Sequence, residues 1–308
     1  MKDELKADLS LLFITIFWGT SFPLMSLVLK GIGTFSFIAA RNILAGVILL
    51  IIFHRKIRKI NKVTIEGALL IGISLFIGSA FQVMGLIYTT PSKSGFITGL
   101  NLVFVPIIIA VTIKRFPNLR TVLGIILAII GLAIMSLRGN LSINFGDLLT
   151  LLSALCFSFQ ILFVDKYCKK VDIITLTVLE IFVVGFISLI PGIILEHLEV
   201  SLTPFTAFVI IYTAVFCTCI AMLVQNKMQP RTDPTHAAVI YLAEPVFAAM
   251  FSIFVGDIMS VRTLIGCMCI FMGMIVISFN ISMQSIKYQF RNYFNKPYFN
   301  RRYRRRKI

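Results

Sequence analysis

Residues 231–257 read RTDPTHAAVIYLAEPVFAAMFSIFVGD, and the fold turns on how they are interpreted. The middle of the stretch is apolar for the ~20 residues a helix needs to cross a bilayer. Yet it carries Glu244 followed directly by Pro245. An ionisable side chain inside a span disfavours insertion by about 2.5–3.5 kcal/mol, so it is expected to have a partner, a cavity or a task. Pro245 has no N–H for the carbonyl four residues back, on Tyr241, and leaves that oxygen free one turn from the carboxylate. The spacing predicts a carboxylate, a phenol and an unpaired carbonyl on one face of one helix.

The rest of the chain supports a membrane setting. It is 58% hydrophobic and 14% charged, whereas soluble domains average about 45–50% apolar and about 25% charged. Apolar runs near 20 residues in length predict ten spans: 9–29, 34–53, 67–88, 94–113, 119–137, 147–165, 173–195, 204–226, 234–255 and 262–280. The first is too long for a signal-peptide core and no small-residue cleavage site follows it, so it is kept as a span. Residues 281–308 form a polar, basic tail ending RRYRRRKI. An even number of spans puts both termini on one side, together with the connections 54–62, 114–120, 166–172 and 227–233. That side holds 24 of the 29 Lys and Arg, the other holds Lys30, Lys93, Arg138 and Arg262, and Arg41 lies inside the second span. This asymmetry predicts cytoplasmic termini in the cell membrane. It also accounts for the net charge of +16 without a nucleic-acid partner. The tail either contacts anionic lipid headgroups, at about 1 kcal/mol per basic residue, or serves only as a topology anchor.

The two five-span halves resemble each other. TTPSKSGFITGL (89–100) lies over RTDPTHAAVIYL (231–242) without gaps, and the same offset brings RTVLGIILAIIGLAIMSL (120–137) onto RTLIGCMCIFMGMIVISF (262–279). RNILAG (41–46) lies over EIFVVG (180–185). An odd number of spans per repeat inverts the second half relative to the first, an architecture common among secondary transporters, with the substrate site between the repeats. The prediction is an all-α polytopic membrane protein with ten transmembrane helices. It comprises a first five-helix repeat at 9–137, an inverted second one at 147–280, and the tail 281–308.

FWGTSFPLMSLVLK (17–30), TTPSKSGFITGL and above all THAAVIYLAEPVFAAMFSIFVGD (235–257) resemble the drug/metabolite transporter superfamily, EamA type. The resemblance covers residues 9 to 280 as two EamA-like units. It implies export or exchange of small organic solutes and names no single substrate. The family's glycine-glutamate ending after span nine reads Gly256-Asp257 here, and the first half has Lys114-Arg115-Phe116-Pro117 in that region.

Polar groups inside the spans are the candidate site residues. Glu244 is either a proton-coupling carboxylate, an anchor for a cationic substrate group, or a buried neutral acid bonded to Tyr241 or a neighbouring helix. Arg41 and Glu180 occupy matching positions in the two halves and are read as a gate, a substrate clamp or a structural ion pair; a buried pair is weak evidence for stability either way. Gln82, Asn42, Asn101 and Gln160 either line a cavity or bond between helices. Thr98 and Asn101 are three apart on one helix face and are the better cavity candidates. Trp18, mid-span instead of in the interfacial belt, is read as a cavity wall able to stack on a cationic or flat solute. Gly19, Gly95 and Gly99 permit close helix approach, and Pro23 and Pro106 free further carbonyls. His236 is read as a solvated helix-end residue. Cys217/Cys219 and Cys267/Cys269 point to nearly opposite helix sides, which suits small packing residues and not a metal site.

The sequence contains no GxxxxGK[ST], HExxH or GxSxG, and calls for no cofactor, metal or enzymatic activity. The function expected is secondary active transport of small metabolites, amino acids or related compounds, with or without a proton, by alternating access around a cavity lined by spans one to four and six to nine. A passive facilitator is the alternative. The oligomeric state is left open.

Overall fold

The computed structural model describes residues 2–29, 31–58, 60–89, 91–114, 117–136, 144–197, 203–253, 260–262 and 264–276. Among them all regular structure is helical. The chain begins with α1 (Lys2–Val28), α2 (Thr34–Phe53) and α3 (Lys62–Tyr88), followed by two short helices, α4 (Pro91–Thr98) and α5 (Asn101–Ile113), and by α6 (Leu119–Ser136). Next come α7 (Phe145–Tyr167), α8 (Ile173–Glu196) and α9 (Pro204–Tyr212), which runs through a π-helical segment, Thr213–Ile220, into α10 (Ala221–Met228). Two more short helices, α11 (Pro234–Tyr241) and α12 (Ala243–Ser252), precede α13 (Leu264–Val276).

Local sequence sets where these helices begin. Side chains of Asn61, Asn144, Asp172, Thr203 and Asp233 each accept a first-turn N–H, of Thr64, Asp147, Thr175, Thr206 and Thr235. Asn144 and Asp147 complete a reciprocal capping box, so two otherwise orphaned donors are satisfied at the start of α7. The start of α2 is capped from a distance: the Glu196 carboxylate, at the end of α8, accepts the N–H groups of Phe35 and Ser36 and the hydroxyl of Ser36.

Among the described residues, seven helices are long and apolar enough to cross a membrane. Their outer faces carry Ile51, Val111, Ile194 and Leu195, all more than half exposed, which suits contact with lipid and not water. The ten predicted spans are therefore not all present as uninterrupted apolar helices. At 234–255 a break divides the helix into pieces of 8 and 10 residues. Pro245 gives no N–H to Tyr241 and cannot continue the bond ladder across Leu242. At 119–137 and 262–280 shorter apolar helices, Leu119–Gly131 and Leu264–Val276, occupy the predicted positions. Residues 137, 254–255, 263 and 277–280 of the predicted spans, Gly256-Asp257, and the tail 281–308 lie outside the described residues.

Glycines set the principal helix contacts. A Cβ on Gly46 of α2 would stand 2.8 Å from the Phe182 ring of α8, and one on Gly185 of α8 would stand 2.8 Å from Ile43 of α2. Likewise Gly131 of α6 lies against the Gly266 carbonyl of α13, and Gly273 of α13 against the Gly124 carbonyl of α6. Both pairs run antiparallel. In the alignment of the halves, 43 and 46 match 182 and 185, and 124 and 131 match 266 and 273. Each seam is therefore self-complementary, the contact pattern a two-fold axis generates. A third close approach joins α1 to α12, where Gly19 sits under Phe247, Ala248 and the Glu244 carbonyl. Gly95 differs: a Cβ there would meet Pro245 at an ordinary 3.6 Å, so close packing does not demand a glycine at this position.

Candidate functional site

Two interrupted helices cross at the centre, with α11 packed on α5 and α12 on α4. The breaks fall at aligned residues of the two halves, Leu100 (φ −66°, ψ −6°) and Leu242 (φ −64°, ψ −11°). At each the helical ladder tightens by one residue, with Leu102 N–H on Gly99 O at 3.2 Å and Leu242 N–H on Val239 O at 3.1 Å. Such interruptions place backbone and side-chain polar groups where a continuous helix would present a closed ladder.

A cavity of about 100 Å³ lies beside the breaks, room for several waters or one small solute. Trp18, Arg41, Gln82, Thr98, Asn101, Gln160, Tyr241 and Glu244 all line it, so the structure brings together every sequence-predicted site residue except Glu180. The lining comes from α1, α2, α3, α4, α5, α7, the π segment, α10, α11 and α12, with nothing from α6, α8 or α13. The predicted contribution of span seven, which is α8, is thus not found.

The aromatic wall is fixed by the π segment. There the Ala221 N–H bonds Phe216 O instead of Cys217 O, and Cys217 O accepts the Trp18 Nε1–H at 3.1 Å. Trp18 then meets Tyr241 edge to face, at 5.4 Å between centroids and 66° between planes. Cys217 and Cys219 donate to opposite neighbours, Phe17 O and Ala45 O, in keeping with the packing role read from their spacing. Gln82 Nε2 donates to Thr98 Oγ1 at 3.3 Å. Asn42 bonds within its own helix, to Ile38 O, while the Asn101 amide oxygen is buried without a donor.

The two ionisable lining groups, Arg41 and Glu244, are unpaired. Among the described residues, ion pairs join Arg58 to Asp172, Lys169 to Asp165 and His236 to Asp8, and neither Arg41 nor Glu244 takes part in one. The Arg41 guanidinium lies 5.7 Å from the Phe37 ring centroid, with Nε buried and without an acceptor. Glu244 receives no hydrogen bond from a described side chain, and Tyr241 donates elsewhere, to Gln229 Oε1 at 3.0 Å. A Tyr241–Glu244 bond is therefore not what holds the acid.

One side of the cavity is closed by amides, of which the sequence reading named Gln160 and missed Gln225 and Gln229. Gln160 and Gln225 exchange two hydrogen bonds, at 3.2 and 3.3 Å. Gln225 also donates to Gln229 Oε1, and Gln229 donates to Ile161 O at 2.7 Å. Gln229 had fallen in the predicted loop 227–233, yet it is fully buried. The signal was its i,i+4 spacing from Gln225 on a helix that continues past the apolar run.

Two expectations are corrected. Glu180 does not reach Arg41 and does not line the cavity: it is fully buried on α8, and Asn226 of α10 donates to its Oε1 at 2.6 Å. Arg41 points into the cavity from α2, so the matched positions do not form a pair. His236 is not solvated. It is 3% exposed, with Nδ1 3.0 Å from Thr232 Oγ1 and 3.8 Å from an Asp8 carboxylate oxygen, because α1 begins against this end of α11.

Comparison with known proteins places this arrangement. An uncharacterized transporter of Archaeoglobus fulgidus is 30% identical over 279 residues, covering 90% of this chain and 87% of its own. An uncharacterized transporter of Bacillus subtilis is 26% identical over 288 residues, covering 89% and 94%. A crystal structure with 17% sequence identity has the same fold, at a TM-score of 0.72 over 89% of this chain and 96% of that one. The EamA-like transporter family matches residues 5–137 and 144–279, almost the whole of the helical region. With broken helices meeting at a polar cavity inside an apolar bundle, the chain belongs to the EamA-like transporter family.

Proposed function

We propose that the protein is a secondary active transporter that exports or exchanges small organic metabolites, amino acids or related zwitterions, by alternating access, with a proton or solute gradient as the driving force. One observation carries this reading: Arg41 and Glu244 face the same cavity, and neither is paired with the other or with another described group. A cation and a carboxylate withdrawn from water each need a counter-charge. A solute with one carboxylate and one ammonium supplies both. Trp18 and Tyr241 form an aromatic wall beside them, where a cation or an apolar side chain can rest.

The reading takes the chain as ten spans in two inverted repeats, 9–137 and 147–280, with both termini in the cytoplasm and the tail 281–308 beside anionic lipid. The self-complementary seams α2–α8 and α6–α13, the matched breaks at Leu100 and Leu242 and the 24-to-4 distribution of basic residues support it. Gln160, Gln225, Gln229 and Tyr241 all belong to the second repeat, so opening the amide-closed side of the cavity would need α7 and α11 to part from α10 within that repeat, beyond the rocking of one repeat against the other.

The test is counterflow in proteoliposomes with a panel of radiolabelled zwitterionic, cationic and anionic amino acids. Zwitterions are expected to exchange, with uptake accelerated by unlabelled solute inside. Exchange of singly charged solutes alone overturns the substrate class. Uptake with no such acceleration, running only down the solute's gradient and indifferent to an imposed pH gradient, identifies a passive facilitator instead.

A further inference from the structure

Glu180 is a carboxyl that the substrate cavity does not use. It and Asn226 are both fully buried, one on α8 and one on α10. The Asn226 amide spends its two N–H groups on Thr177 Oγ1, at 2.8 Å, and Glu180 Oε1, at 2.6 Å. The Thr177 hydroxyl is spent in turn on Ile173 O, at 2.8 Å. Every donor of the cluster is therefore engaged, and two acceptors, Glu180 Oε2 and Asn226 Oδ1, remain buried without one. The cluster is short of one hydrogen.

Among the described residues, the surroundings offer no counter-charge. Arg41 on α2 points into the cavity and pairs with nothing described. The Cys219 thiol donates to Ala45 O, and Glu66 on α3 is held by the Tyr167 hydroxyl. Asp172, ahead of α8, is tied to Thr175 and Arg58, and Lys227 on α10 is exposed. The thiol of Cys168, buried at the end of α7, lies within electrostatic reach of Glu180 and carries no positive charge. An anionic Glu180 would stand in a low-dielectric interior with a single hydrogen bond, an arrangement of high free energy.

We propose that Glu180 and Asn226 form a proton-binding site outside the substrate cavity, where a proton on Glu180 Oε2 completes the hydrogen bonding between α8 and α10. The new O–H bond removes the negative charge and turns one of the two orphan acceptors into a donor for the other. A carboxylic acid and a primary amide can then exchange two hydrogen bonds, where the carboxylate takes only one. Asn226 directly follows Gln225, which closes one side of the cavity. Occupancy of the site thus fixes the helix that carries this closure, and loss of the proton loosens it. The inference is separate from the substrate reading, because it concerns the protein without solute.

Infrared difference spectroscopy tests it, on purified, substrate-free protein in lipid nanodiscs, between acidic and alkaline buffer, reading the C=O stretch of protonated carboxyls. The expected result is a titrating band that is lost in Glu180→Gln and retained in Glu244→Gln. Glutamine keeps the shape and supplies the N–H that Asn226 Oδ1 lacks, so this variant is expected to fold. Asn226→Leu removes the partner and is expected to move the band to the higher frequency of an unbonded acid. A spectrum from which Glu180→Gln removes no component, or one whose Glu180 component Asn226→Leu leaves in place, overturns the site. Should Glu180→Gln fail to fold, the Asn226→Leu shift decides alone. Failed counterflow bears on the substrate reading only.

Discussion

Arg41 and Glu244 stand in the same cavity for opposite reasons of local chemistry. Arg41 keeps its charge at any accessible pH, and the structure gives its buried Nε no acceptor beyond the face of Phe37. Glu244 sits one residue before the proline that interrupts its helix, so its carboxyl is presented at a break instead of against a neighbouring turn. A hydrogen bond to a charged group contributes about 1.5–3 kcal/mol, which corresponds to roughly 10- to 150-fold in affinity. Arg41→Gln and Glu244→Gln are each expected to weaken half-saturation for a zwitterionic solute by that range in the counterflow assay. The two differ in selectivity. Arg41→Gln should lose discrimination against an amino-acid amide, and Glu244→Gln should lose discrimination against the deaminated acid. Equal loss for all solutes from both variants would mean that the charges shape the cavity without gripping the ends of the solute.

At the scale of elements, packing is set by where a Cβ cannot be placed. Gly19 brings α1 within contact of the backbone of α12 at Glu244 and Ala248, with imagined Cβ distances of 2.9 and 2.8 Å. Backbone cannot swing aside as a side-chain tip can, and overpacking of this kind costs about 1–3 kcal/mol. Gly19→Ala is therefore expected to lower the thermal midpoint of the detergent-solubilised protein, whereas Gly95→Ala, with 3.6 Å to Pro245, leaves it unchanged. Equal midpoints for the two would show that α1 can shift without penalty. Glu196 makes a second element-level case, because its carboxylate caps α2 from the end of α8. Removing a cap of this type costs about 0.5–2 kcal/mol, so Glu196→Ala should also lower the midpoint, with Glu196→Gln lying between it and the wild type. Through Pro245 the sequence disclosed a freed carbonyl but not the division of 234–255 into two helices, and it disclosed the cavity residues because a polar group inside an apolar run has few other uses. It did not disclose the cap or the amide closure. Glu196, Gln225, Asn226 and Gln229 lie at the ends of apolar runs, where a polar residue is ordinarily assigned to water. Nor did it separate Glu180 from Arg41: matching positions in two inverted repeats put Arg41 nearer the outside and Glu180 nearer the inside, and say nothing about which face each side chain occupies.

At the scale of the whole molecule, the self-complementary seams make a demand on topology. Residues 43 and 46 meet 185 and 182, and residues 124 and 131 meet 273 and 266, so each half touches the other through equivalent positions of opposite direction. Two halves related in this way by an axis in the membrane plane must display equivalent residues on opposite sides of the bilayer. Arg120 and Arg262 are such a pair, aligned in sequence, both exposed, and each close to the start of its helix. The proposed orientation, read from the distribution of basic residues, puts Arg120 in the cytoplasm and Arg262 outside. In a cysteine-free background, needed because the native cysteines are six in number, Arg262→Cys is expected to react with a membrane-impermeant maleimide in intact cells. Arg120→Cys is expected to react only after permeabilisation. A fluorescent reporter fused after Ile308 should fluoresce, in agreement with Arg120. Labelling of both cysteines from the same side would overturn the inverted arrangement, whatever the reporter shows. Labelling on opposite sides but with the two exchanged would keep the inversion and reverse the orientation, placing the amide-closed side of the cavity outside.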